Sequence, residues 1–238
     1  MKLRSSAFSI LVFSLSLILH SCGLNCIEGT GEMVSDKRPI DGAEGVELNL
    51  DADVSIVKGD VEVINIVAQQ NILEKIKTDV DDGIVKISSE GCFDSHEPIK
   101  ILVTVPDIKK LELNGSGRIW VPDTFAVDEV ELVMNGSGTI DAKLIAANIE
   151  SKVRGSGRIV LAGSANVQSA VIAGSGDILG EKLPCNEAEV KIAGSGNASV
   201  YAIKTLEIKI AGSGTVKYKG KPELKSNVTG SGKVVDDN

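Results

Sequence analysis

The stretch LELNGSGRIWV, Leu111 to Val121, carries the tripeptide on which the fold turns. Gly-Ser-Gly returns with its first glycine at positions 115, 136, 155, 174, 194, 212 and 230, a period near 19 residues. Two residues before that glycine stand Leu113, Met134, Val153, Ile172, Ile192, Ile210 and Val228, all apolar. Four residues after it stand Ile119, Ile140, Ile159, Ile178, Ala198, Val216 and Val234, again apolar. The residue following the second glycine is always polar: Arg118, Thr139, Arg158, Asp177, Asn197, Thr215 and Lys233. In VKIAGSG and IKIAGSG, Lys191 and Lys209 alternate with apolar neighbours. This is period-two strand patterning with one face buried. A period this short excludes propeller blades and helical solenoids, and no helical periodicity appears in the units. It fits one coil of an all-β, single-stranded parallel β-helix (a β-solenoid), whose coils stack at about 4.8 Å over a continuous aliphatic column. Glycine suits the corner because it adopts positive φ at little steric cost.

The first part of the mature chain lacks Gly-Ser-Gly but is rich in strand patterns. GVELNLDADVSIVKGD (Gly45–Asp60) reads as two alternating runs and VEVINIVAQQ as a third. NILEKI reads as a helical turn, and Asp82-Gly83 as a tight turn inside TDVDDGIVKIS. ILVTVP follows as another strand. The order of these pieces, ending in ILVTVPDIKKLELNGSG and the recurring GSG, resembles the family known as "putative auto-transporter adhesin, head GIN domain" over about residues 39–235. The resemblance implies a right-handed β-helix-like fold, often on envelope lipoproteins of Bacteroides-type bacteria. It supplies no catalytic residues to transfer.

The N-terminus reads as a leader. Met1–Arg4 is basic, and the apolar run Ala7–Leu19 is too short for a comfortable membrane span. It ends in Leu19-His20-Ser21-Cys22-Gly23, which resembles a bacterial lipobox. The expected organisation is a signal peptide over 1–21, a lipidated linker over 22–38 starting at Cys22, and a β-helix domain over 39–235. Gly23 lacks the acid that commonly retains lipoproteins at the inner membrane, so the outer membrane is the expected address. Without Lys2 and Arg4 the mature chain has twenty-three basic residues against thirty-three acidic ones. That balance argues against nucleic-acid binding, which needs clustered Lys and Arg. Besides Cys22 there remain Cys26, Cys92 and Cys185; three thiols permit at most one disulfide, and the sequence does not choose the pair.

Little in the chain points to catalysis. Polysaccharide chemistry wants paired carboxylates and aromatic platforms, yet the mature chain holds only Phe93, Trp120, Phe125, Tyr201 and Tyr218 as aromatics. Its single histidine, His96, has no Ser or Cys partner nearby that would suggest a triad. Asp79, Asp81 and Asp82 cluster, but within one turn flanked by strands. Asp177 is the lone acid in its column, which excludes a repeated calcium loop. No cofactor or metal is expected. Two features are candidate contact surfaces. Ser116, Ser137, Ser156, Ser175, Ser195, Ser213 and Ser231 should form an edge of hydroxyls, either presented to sugars or anions or simply bonded to their own turns. Trp120, flanked by Ile119 and Val121, should face out, either as a contact anchor or partly buried under the loop PDTFAVD.

The sequence thus predicts a non-enzymatic envelope lipoprotein. Its elongated β-helix would be presented to a glycan or another envelope protein, with a membrane partner through the lipid anchor. Two alternatives stand beside it: a β-helix carbohydrate-active enzyme with a cryptic site, and a purely structural scaffold.

Overall fold

The computed structural model describes residues 26–95 and 97–238. Cys22 and the leader, with the expectations attached to them, lie outside the described residues, as does His96. The Gly-Ser-Gly units each run as one long strand from corner to corner: Arg118–Gly136, Thr139–Gly155, Arg158–Gly174, Asp177–Gly194 and Asn197–Gly212. Neighbours pair in parallel, and the first glycine of each corner falls opposite the first glycine of the next. The result is a β-solenoid of about seven turns with coils about 19 residues apart.

The two columns predicted to be apolar form the core. Leu113, Met134, Val153, Ile172, Ile192 and Ile210 are buried on one side, and Ile119, Ile140, Ile159, Ile178, Ala198 and Val216 on the other. Val228 departs from its column. It is 39 % exposed, because no coil among the described residues lies beyond the strand Glu223–Gly230 that carries it. Alternation also breaks within the coils, as where Asp128–Glu129 and Ala147–Asn148 put two outward residues in succession.

The corner explains its own sequence. Gly194 sits at φ +131°, and a Cβ there would be driven into the carbonyl oxygen of Gly174 one coil below. That carbonyl accepts from the backbone N–H groups of Ser195 and Gly196, at 2.9 and 3.1 Å. The corner is therefore part of the inter-coil ladder, and its backbone approaches its neighbour too closely for a side chain. The second glycine, Gly196, is excluded from substitution for a different reason. Its φ is ordinary, but a Cβ would overlap the Gly176 carbonyl oxygen and lie 2.7 Å from a methyl of Ile172.

The N-terminal part is also wound into the solenoid, but out of chain order. Gly45–Leu48 and Asp53–Lys58 form a coil directly beneath Lys110–Gly115 and the start of Arg118–Gly136. Beneath that coil lie Ile84–Ser89 and Lys100–Val105, which come later in the chain. Three antiparallel strands then close this end: Val63–Gln69 on Lys100–Val105, Met33–Pro39 on Val63–Gln69, and Ile76–Asp81 on Ile84–Ser89. Antiparallel closure turns the chain back over the aliphatic column, which otherwise would meet water. The helical turn is Gln70–Leu73, whose Ile72 and Leu73 plug the core. The Asp82-Gly83 turn joins Ile76–Asp81 to Ile84–Ser89, with Asp82 at φ +53°.

The cysteine question is answered by the pair Cys26–Cys92, while Cys185 is free and buried. The disulfide fastens the first described residues to the capped end, where Ile27–Glu28 also pairs with Phe93–Asp94. It spans a separation of 66 residues, for which loop-closure entropy corresponds to about 4 kcal/mol.

Candidate functional site

Trp120 is 45 % exposed, so alternation placed it correctly. The following loop does not cover it. Phe125 of that loop turns inward and is fully buried, and Asp123 accepts a bond from the backbone N–H of Lys58 at 3.0 Å. Trp120 stands on a sheet face made by four strands. In register across that face it neighbours Ser55, then Leu102, then Asn65. Beside it runs a second row of Arg118, Asp53 and Lys100, two residues earlier on their strands, and Val67, two residues later on the antiparallel one. The two rows together line an open groove of about 340 Å³.

This groove is amphipathic. Its aromatic row contains Leu102, 41 % exposed, and the small Ser55, which leaves the space beside the indole unfilled. The other row is charged and exposed at Arg118, Asp53 and Lys100. Arg118 reaches Asp141 only at 3.8 Å. Asn65 accepts from the Ser35 hydroxyl at 2.6 Å through its side-chain oxygen, which leaves its amide N–H groups available as donors.

The serine edge is where the sequence put it: Ser116, Ser137, Ser156, Ser175, Ser195, Ser213 and Ser231 are all exposed. Among the described residues none of these hydroxyls bonds to its own turn. The backbone N–H groups of the corner bond to the coil below, and that contact leaves the hydroxyls free. The polar column beside them is linked from coil to coil. Asp177 accepts from Arg158 at 3.1 Å and from Asn197 at 3.0 Å. One position before the first glycine, Asn114 donates to Asn49 at 2.7 Å and Asn135 donates to Asn114 at 2.8 Å, an amide ladder running up the solenoid.

On the strands that lead into the corners, glutamates Glu131, Glu150, Glu189 and Glu207 share one column and lysines Lys152, Lys191 and Lys209 the next. Lys152 bridges Glu131 and Glu150 at 2.8 and 2.9 Å, and these hydrogen bonds raise its pKa. Lys209 bridges Glu207 and Glu189 at 2.7 and 3.5 Å, and its hydrogen bond holds Glu207 below the usual carboxylate range. These groups are solvated, so each pair contributes little to stability.

The acids at Asp79, Asp81 and Asp82 sit on the antiparallel cap, where the Lys86 ammonium lies 2.6 Å from Asp81 and lowers its pKa. A separate recess beside the disulfide is lined by Asp51, Asp53, Asp94 and Glu97. Glycoside hydrolysis needs one carboxyl buried enough to hold its proton near neutrality, and all four of these are exposed. Buried polar side chains occur instead inside the solenoid, at Ser151 and Gln168. The Cys185 thiol lies 3.9 Å from the Gln168 side-chain oxygen, and burial pushes it up to about 11. Sequence reasoning passed over these residues, although Gln168 and Ser151 share the parity of the inward Ile172 and Val153 and so were marked as inward.

Comparison with known proteins adds to this geometry. The family model described as "putative auto-transporter adhesin, head GIN domain" matches residues 44–222. A search of curated proteins found no match. Among solved structures, a "putative adhesin" from Bacteroides fragilis superposes with a TM-score of 0.83 at 20 % identity, covering 87 % of this chain and 98 % of that one. A "putative lipid binding protein" from Parabacteroides distasonis superposes with a TM-score of 0.74 at 26 % identity, covering 88 % and 99 %. A "putative adhesin" from Parabacteroides merdae gives a TM-score of 0.68 at 22 % identity, covering 88 % and 99 %.

Proposed function

The chain belongs to the family described as "putative auto-transporter adhesin, head GIN domain", and from that premise we propose that it is a non-enzymatic adhesion module of the bacterial cell envelope, held to the outer membrane by a lipid on Cys22. The observation that carries the adhesive role is the body itself. Five successive corner-to-corner strands pair in parallel over a continuous core, and many charged and polar side chains stand on their outward faces. Such a body loses little conformational freedom when it docks a partner, and a rigid, preorganised surface keeps more of its contact energy as affinity. Its exposed carboxylates lack the burial that acid–base catalysis would use, which supports a binding role over a carbohydrate-active enzyme.

The envelope address has support of its own. A disulfide is a feature of oxidising compartments, and here Cys26–Cys92 staples the capped end. Cys22 precedes Cys26 by four residues. A chain that short spans at most about 14 Å, so a lipid on Cys22 would hold the antiparallel cap close to the bilayer.

Fractionation of cells expressing the wild-type chain and Cys22→Ala tests the anchor, with protease treatment of intact cells as the second readout. The wild type should sediment with outer membranes and Cys22→Ala should not. Equal membrane fractions would overturn the anchor. Resistance of the wild type to protease until the outer membrane is permeabilised would place it on the periplasmic face, out of reach of any external surface, and would overturn the adhesive role.

A further inference from the structure

We propose that the groove beside Trp120 is a saccharide-binding subsite, with the indole as the platform for one pyranose ring of a β-linked glycan. The inference rests on the adhesion reading and names the chemistry of its partner.

A pyranose is amphipathic in the same sense as the groove. One face presents axial C–H groups, which pack on an aromatic ring, while equatorial hydroxyls radiate around the rim and require hydrogen-bond partners. The groove offers both along adjacent rows. Trp120 and Leu102, 45 % and 41 % exposed, flank the small Ser55, so the sheet surface dips beside the indole. Trp120 and Asn65 are three strand spacings apart, about 14 Å. That is enough for a ring lying flat with its next linkage. Two residues along the strands, Asp53 supplies acceptors and Arg118 supplies donors, while the Asn65 amide N–H groups lie at the far end. All of these side chains stand on paired strands, so the site is preformed.

A hydrocarbon chain fits less well. The groove is open, so an acyl chain laid in it would keep much of its surface in water. It would also cover Asp53 and Arg118 without pairing them, and burying an unpaired charge is costly. Above Trp120 the same outward row reads Asp141, Val160, Leu179, Ser199 and Lys217, with no second aromatic ring. The subsite is therefore single, and a weak affinity per chain is expected; firm adhesion would come from many anchored copies acting together.

Trp120 is the sole tryptophan of the chain, so its fluorescence reports this groove alone. The purified protein is titrated with cellotetraose, laminaritetraose, chitotetraose and lacto-N-tetraose, and separately with dodecanoate below its micellar concentration. At least one tetrasaccharide should give a saturable change in emission with half-saturation near or below about 1 mM. Arg118→Ala, an exposed change, should weaken that binding about fivefold, the loss of one hydrogen bond, while leaving the urea midpoint unmoved. A response to dodecanoate alone would overturn the saccharide in favour of a lipid, and no response to any probe would overturn the subsite. In cells, Trp120→Ala should lose retention on a surface coated with the responding sugar. Retention equal to wild type for Trp120→Ala, but absent in cells without the protein, would sink the subsite and leave the adhesive role standing.

Discussion

Three glycine-to-alanine changes at equivalent corners separate the two reasons for the repeated tripeptide. Gly115 has φ +130°, but a Cβ there meets nothing within 4 Å, because the coil beneath it is the irregular segment after Leu48. Gly115→Ala should therefore cost only backbone strain, about 1–2 kcal/mol. Gly196 has an ordinary φ, but its Cβ would overlap the Gly176 carbonyl oxygen and press on Ile172. Gly196→Ala should cost about 1–3 kcal/mol from overpacking alone. Gly194 carries both burdens, with φ +131° and a Cβ directed into the Gly174 carbonyl oxygen. Gly194→Ala should cost about 2–5 kcal/mol, the sum of the two effects. With a urea m-value of about 2 kcal/mol/M, the midpoint should fall by about 2 M at Gly194 and by less than about 1 M at Gly115. Urea unfolding followed by far-UV circular dichroism measures all three. Equal midpoint shifts at Gly115 and Gly194 would refute the close approach between corners, and a neutral Gly196→Ala would refute the stacking of the second glycine.

Ile192→Asp should bury an unpaired carboxylate at a cost of several kcal/mol, about 3–5, because Ile192 is 2 % exposed. Lys191→Asp, one residue away, removes only a solvated pair with Glu189 and should cost no more than about 1 kcal/mol by the same urea assay. Reduction of Cys26–Cys92, or its replacement by two serines, should lower stability by about 4 kcal/mol, read as a midpoint shift with and without reductant. Cys185 should resist iodoacetamide in the native state at pH 8 and react on unfolding, since it is buried and its thiol is pushed from 9.0 to about 11. Because the folded thiol holds its proton more tightly than the unfolded one, its contribution is complete below pH about 9. It is lost as pH rises through about 11, so stability should decline over that window in the wild type and less so in Cys185→Ala.

The solenoid was legible because its signal is local and repeated. The columns headed by Leu113 and Ile119 recur at every corner, and alternation around them fixes which side chains enter the core. The same parity exposed Trp120. What stayed hidden depends on which strand stacks on which. Gly45–Leu48 and Ile84–Ser89 both alternate, but nothing in either says that the earlier segment lies between the later one and Lys110–Gly115. The groove is a product of that reordering. Ser55, Leu102 and Asn65 reach Trp120 from distant parts of the chain, through strands whose pairing partners are set by the cap. The two readings of the serine hydroxyls stayed open for a related reason. A corner viewed alone must satisfy its own backbone, whereas a stacked corner bonds to its neighbour. Cys26–Cys92 likewise follows from the capped end bringing Cys92 beside the chain's first described residue.

Retention of whole cells under flow tests the adhesive role most directly. Cells expressing the full chain, cells expressing Cys22→Ala and cells lacking the protein are passed over surfaces coated with β-linked polysaccharide, and the attached fraction is counted as shear rises. Cells with the wild-type chain should hold at shear that removes both of the others. Equal detachment of all three would contradict an anchored adhesion module.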